Sequence, residues 1–410
     1  ADCYRKVQLA EKEREMKLTE ETPFFFIYSV WTKNGEYREQ VKRLVTDYDN
    51  YISLKLAGDD AYLSEKMVGY PAELDEVYAE SFEEQKKEWF SCVGDGIQEC
   101  RNTWEHKKWN ITDFPEFELA ITIDRPELYY DFLQKDWTRF CHDYWKNNFL
   151  EHHTLSKKRV TRIYIGNQFC HNLFPKKKLL FQVLEKALEN NLAVTLAFSY
   201  IRNHLLEEID ELLQELEVWC QSREKEAGKD QEEIIVNDWA MPILLQGKPH
   251  LKPVLGVLLN KRRKDVRLPY KHGIGNHVDS LAENNLNCGF YQDYLKNTFD
   301  IQRFEFESCG YKVTIPDGHH SLHLPFFQTN TSQYCTLYAV CRYGDRGKQK
   351  LPENCPRYCN KKVFLYPKHL KMVGRYNSLF GYDEKILWDE KQLQDYLEQG
   401  IDRIVVNVSL

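Results

Sequence analysis

The sequence predicts an α/β fold closed as a (β/α) barrel, on two observations. From about residue 116 onward, short apolar segments rich in β-branched residues alternate with amphipathic helical stretches. The apolar segments read as near-continuous hydrophobic runs, as expected of parallel strands covered on both faces. Eight of them occur, a number that favours closure into a TIM-like barrel over an open doubly wound sheet.

Taken in order, the strands are 117–124 (FELAITID), 162–166 (RIYIG), 193–199 (AVTLAFS), 233–238 (EIIVND), 253–259 (PVLGVLL), 303–307 (RFEFE), 322–327 (LHLPFF) and 403–408 (RIVVNV). Helices are predicted from Pro126, over 176–190, from 205 to about 223, and over 278–296. Residues 1–115 form a separate accessory region, acidic and aromatic, with a strand at 24–31 and a helical stretch at 73–90. The predicted organisation is therefore an additional N-terminal region (1–115) followed by the barrel (116–410). A cysteine-rich insertion at about 309–362 interrupts the barrel, and a loop of that length inside a compact domain is usually functional.

Composition narrows the function. The 410 residues carry a net charge of −7, which disfavours a protein that coats nucleic acid through overall charge. No apolar run is long enough to span a membrane. The first residues are charged and lack the apolar centre of a signal peptide, so the sequence predicts a cytoplasmic setting in which thiols stay reduced.

Twelve cysteines are present, and Cys309, Cys335, Cys341, Cys355 and Cys359 crowd into the insertion. In a reducing compartment such a cluster reads as metal or redox chemistry before disulfides. Cys335, Cys341, Cys355 and Cys359 are separated by five, thirteen and three residues. Zinc sites favour paired C-x₂₋₄-C knuckles, a form matched by Cys355-Pro-Arg-Tyr-Cys359 alone. The irregular spacing suits an iron–sulfur cluster better, with zinc and a metal-free thiol set as the alternatives. Cys309 is an alternative fourth ligand. His319, His320 and His323 precede the loop and read as a polar turn entering a strand, with a mixed His/Cys site as the alternative.

The basic run NKRRKD (260–265) follows a buried strand, at the barrel end where substrates bind. Lys261, Arg262 and Arg263, with Asn237 beside them, are candidate binders of a small anionic molecule. Asp238 and Glu305, at strand ends, are candidate proton-transfer groups. No serine-nucleophile motif, P-loop, dinucleotide fingerprint or radical SAM motif appears.

Three segments together, EIIVND followed by Trp239-Ala240, GVLLNKRRKD (256–265) and the downstream multi-cysteine stretch, resemble the collagenase-like peptidase family U thirty-two. The resemblance covers roughly residues 116–410. The spacing of Cys341, Cys355 and Cys359 is similar to that of the family's ubiquinone-hydroxylation members. It implies a four-iron four-sulfur cluster on four cysteines and an oxygen-independent hydroxylase acting on an RNA base or a biosynthetic intermediate, with prephenate as oxygen donor. It also implies two alternatives: a cluster-bearing partner subunit, docking another protein through residues 1–115, and a peptidase.

Overall fold

The computed structural model describes residues 14–21, 26–36, 38–39, 78–79, 83–90, 114–227, 232–266, 282–348, 350–352, 354–366 and 371–409. Cys3, Cys92 and Cys100, and the start of the helix predicted at 278, lie outside the described residues. The chain divides into two compact units, 1–68 and 69–410.

The first unit holds an antiparallel pair, β1 (Arg14–Glu21) and β2 (Phe26–Thr32). The strand predicted at 24–31 is β2.

The second unit is built on eight parallel strands: β4 (Glu118–Ile123), β5 (Arg162–Gly166), β6 (Ala193–Ala197), β7 (Glu232–Val236), β8 (Leu251–Leu255), β9 (Glu305–Glu307), β10 (His320–Leu324) and β15 (Ile401–Val406). Their order is β8-β7-β6-β5-β4-β15-β10-β9. A parallel bridge between Leu255 and Phe304 joins the two ends, with Leu255 N–H donating to the Arg303 carbonyl at 3.0 Å. The sheet is thus a nearly closed barrel, and all eight strands predicted from sequence are in it.

A second, antiparallel sheet has the order β11 (Phe326–Thr331), β14 (Ser378–Tyr382), β13 (Met372–Arg375), β12 (Val363–Leu365) and β3 (Tyr78–Ala79). Most of it lies in sequence between β10 and β15. Because β3 pairs with β12, residues 78–79 belong with the second unit, although the sequence grouped them with the N-terminal region.

The helices cover the outside. In Lys177–Glu189 the buried side chains are Leu180, Val183, Leu184 and Ala187, the i, i+3, i+4, i+7 stripe of a helix laid on a sheet. Trp137–Asn147 starts where the Asp136 carboxylate accepts from Arg139 N–H at 2.9 Å.

Alternation along the strands sorts the interior into layers. The middle layer is a small apolar cluster of Ala120, Tyr164, Ala197, Ile235, Val254 and Val405. Beneath it, toward the strand starts, lies a charged floor. Arg403 bonds Glu118 at 2.6 Å and Glu233 at 2.7 Å, and Arg162 bonds Glu118 at 3.0 Å and Glu233 at 3.3 Å. Thr195 Oγ1 donates to Glu233 at 2.7 Å. Above the middle layer are Thr122, Gly166, Asn237, Gly256, Glu307 and Asn407. Gly256 is required there, since a Cβ would collide with the Asn237 side-chain amide and come within 2.7 Å of Ile235 Cγ2.

Candidate functional site

Loops leaving the carboxyl ends of the strands build two neighbouring cavities. The first is a thiol-lined cleft whose walls include Cys170, His171, Arg202, Cys335, Tyr338, Cys355, Cys359 and Tyr376. It encloses about 20 Å³ and reaches about 530 Å³ counting the space open to solvent.

Each thiol is delivered by a different device. Cys170 follows β5 in a loop pinned by Asn167, whose Oδ1 accepts from the Phe169 and Cys170 amides at 2.9 Å. Cys335 is the cap of the helix Thr336–Tyr343: its sulfur accepts from Tyr338 N–H at 3.3 Å and its thiol donates to the Tyr376 carbonyl at 2.9 Å. Cys355 and Cys359 sit on one loop, between which Arg357 adopts a left-handed φ of 55°. That turn folds the C-P-R-Y-C segment back on itself, and Arg375 Nε holds the Cys359 carbonyl at 2.9 Å.

Three of these thiols are shifted by their surroundings. Burial pushes the Cys359 thiol up to about 12 and Cys170 up to about 11, and holds Cys335 well above its usual range. In each case the other cysteines of the set add to the effect of burial. None of the nine cysteines among the described residues is in a disulfide. Buried thiols with raised pKa are poor free nucleophiles; a cation among them stabilises the thiolates. Among the described residues no group of three or more His, Cys, Asp or Glu converges closely enough to hold a single metal ion.

The sequence-predicted ligands divide. Cys335, Cys355 and Cys359 come together in this cleft. Cys341 lies on the helix Thr336–Tyr343, packed against the core and not in the cleft wall. Cys309 is buried elsewhere, with Arg262 Nη1 3.0 Å from its sulfur. Cys170 is the fourth thiol in the wall of the cleft.

The other predicted site residues are held by the fold. Asp238 Oδ1 accepts from Ala240 and Met241 N–H at 3.0 Å, capping a helical turn, and its other oxygen accepts from Ile201 N–H. Asn237 donates to the Phe198 carbonyl at 2.8 Å. Lys261 is exposed and donates to the Leu258 carbonyl at 2.5 Å. Arg262 also donates to the Glu307 carbonyl, and Arg263 pairs with Asp265 at 3.3 Å. Glu305 sits inside the barrel, accepting from Tyr164 OH at 3.0 Å and paired with His323 Nε2 at 2.5 Å. His319 is exposed beside Asp402, and His320 is buried with its ring stacked on Phe304.

The second cavity is at the barrel mouth, and its wall includes Thr122, Asp124, Tyr164, Gly166, Asn167, Gln168, Phe169, Glu307, His323 and Asn407. Phe169 faces this cavity and Cys170 the thiol cleft. Cys170 and Asp124 were not singled out from sequence. The available signal was position alone, each residue lying at or just past the carboxyl end of a strand, where barrel sites are built.

No protein-family model, no curated protein and no solved structure matches the chain.

Proposed function

We propose that the chain is an iron–sulfur protein in which Cys170, Cys335, Cys355 and Cys359 hold a four-iron four-sulfur cluster. We propose further that it serves an oxygen-independent hydroxylation or related tailoring reaction on an RNA base or a biosynthetic intermediate, as in the U thirty-two family. One observation carries the first part: four unoxidised thiols from three separate segments line one cleft at the carboxyl end of the barrel. The donor set fits the group in kind, since four thiols line one cleft and a four-iron four-sulfur cluster is held by four cysteine thiolates. Such a cluster supplies one-electron chemistry at iron.

The chain's own residues do the rest. Tyr376 and Tyr338 fix the direction of the Cys335 sulfur. Arg202 lines the cleft, and its Nε has no hydrogen-bond partner among the described residues. It takes the role expected of Arg262 and Arg263, receiving an anionic donor of the prephenate kind and offsetting the charge of the thiolates. A thiol peptidase is less favoured, since neither His319 nor His323 lines the thiol cleft.

Purification without oxygen, with absorption spectroscopy and iron and sulfide analysis, tests the reading. A broad visible band with about four iron per chain is expected. Colourless protein that carries zinc, or no metal after reconstitution, overturns it.

A further inference from the structure

The mouth cavity contains polar groups that the fold does not use. Asp124 is more than nine-tenths buried, and its Oδ1 has no hydrogen-bond partner among the described residues. His323, also buried, is engaged through Nε2 by Glu305, and Nδ1 has no partner among the described residues. Gln168 accepts from Asn237 through Oε1 at 3.3 Å, which leaves its amide N–H groups for a ligand. The remaining polar wall is occupied. Asn167 serves the Cys170 loop, Asn407 exchanges hydrogen bonds with Phe326, and Glu307 is bound to Lys264 at 2.5 Å.

Charge limits what fits. No Lys or Arg stands among the described lining residues, and Lys264, which pairs with Glu307 from outside that wall, is also held by Gln328 at 2.9 Å. A phosphate or carboxylate would meet Glu307 in a wall that supplies no Lys or Arg side chain. The enclosed space, about 40 Å³, accommodates about three water molecules, the bulk of a two- or three-carbon compound.

The two unspent groups have complementary chemistry. Burial raises the Asp124 carboxyl above its usual range, against the pull of Arg125 and Arg375 and a hydrogen bond from Ser409, so it tends to keep its proton. Glu305 has the opposite balance. Burial works to raise it, but the hydrogen bond with His323 and the charge of Arg403 hold it below the usual range. An ionised Glu305 takes the Nε2 proton of His323 as a hydrogen bond and so fixes the tautomer with Nδ1 as the basic nitrogen.

We infer that the mouth cavity is an acid–base site for a small neutral hydroxycarbonyl compound, with Asp124 donating to the carbonyl oxygen and His323 Nδ1 taking a proton from the adjacent carbon. The C–H pair becomes the new C=C bond, and the carbonyl π pair moves to oxygen, which takes the Asp124 proton. The product is an enediol, with Asp124 left as carboxylate and His323 as imidazolium. Reversal restores both groups and returns a solvent-derived hydrogen to carbon. No electron is transferred, so this chemistry goes beyond the cluster reading and does not depend on it.

The test uses dihydroxyacetone in deuterium oxide with the anaerobically purified chain, iron being assayed on the same sample. Proton NMR follows loss of the carbon-bound hydrogens. The wild-type chain is expected to exchange them above the buffer rate. Asp124→Asn, which keeps the size of the side chain, is expected to lower the rate about a hundredfold with an unchanged melting temperature. His323→Gln gives the same loss, with folding checked by circular dichroism. Exchange at the buffer rate in wild-type protein overturns the inference whatever the iron content, as does full exchange in folded Asp124→Asn. Exchange by colourless, iron-free protein upholds it while the cluster reading falls.

Discussion

Arg403 and Glu233 meet inside the barrel through two parallel hydrogen bonds, Nη1 to Oε2 at 2.7 Å and Nη2 to Oε1 at 3.0 Å. Both side chains are more than nine-tenths buried. Burial works to raise the Glu233 carboxyl, but Arg403 and Arg162 outweigh it and hold it down at about 2. Removing the acid leaves two guanidinium groups sharing the single carboxylate of Glu118. Glu233→Gln should therefore lower the unfolding free energy by about 3–5 kcal/mol, measured by urea denaturation. A loss below about 1 kcal/mol would show that the floor is wet.

The cysteines separate by position. Cys170→Ser should abolish the visible band and bring iron below about one per chain. Cys341→Ser and Cys309→Ser should retain about four, because neither thiol lines the cleft. Iron retention in Cys170→Ser together with loss in Cys341→Ser would return the fourth corner to the helix.

Acid should act in two steps. Burial pushes His153 and His320 down to about 4. His153 is locked as one neutral tautomer, with Nε2 at 2.6 Å from the Leu387 carbonyl and Nδ1 accepting from Leu155 N–H at 3.1 Å. For a histidine with a depressed folded pKa, the unfolded chain takes the proton first. The contribution is complete above pH 6.5 and is lost as pH falls from there toward 4, up to about 3 kcal/mol for each ring. Glu233, also depressed, contributes above its ordinary 4.5 and loses that contribution as pH falls toward 2. Urea titrations at stepped pH should show the first decline between 6.5 and 4, and His153→Gln should flatten part of it. A flat profile over that interval would show that both rings remain solvated.

Gly256→Ala should cost about 1–3 kcal/mol, since the added methyl meets Asn237 and Ile235 at once. Thermal melting measures it, and a neutral result would mean that β7 shifts freely.

The barrel was legible because its strands are written locally. Segments such as AVTLA and EEIIV are apolar and β-branched, and buried strands need little else. The charged floor was not legible, because Glu118, Arg162, Glu233 and Arg403 read one at a time as solvated strand ends. Only closure brings them together. Three of the cleft's thiols were legible as a dense local run. Cys170 was not, as it lies 165 residues before Cys335 in sequence and joins the set only when β5 is placed in the sheet. The place of Asp238 was legible and its hydrogen bonds were not: its carboxylate accepts from the Ala240 and Met241 amides at the next helix start.

Phe169 and Cys170 are consecutive, so their Cα atoms are about 3.8 Å apart. One faces the mouth, the other the thiols, and a single Asn167 oxygen holds both their amides. The partition between the two chambers is therefore one peptide thick. One oxygen of Asn167 therefore positions a wall residue of each chamber.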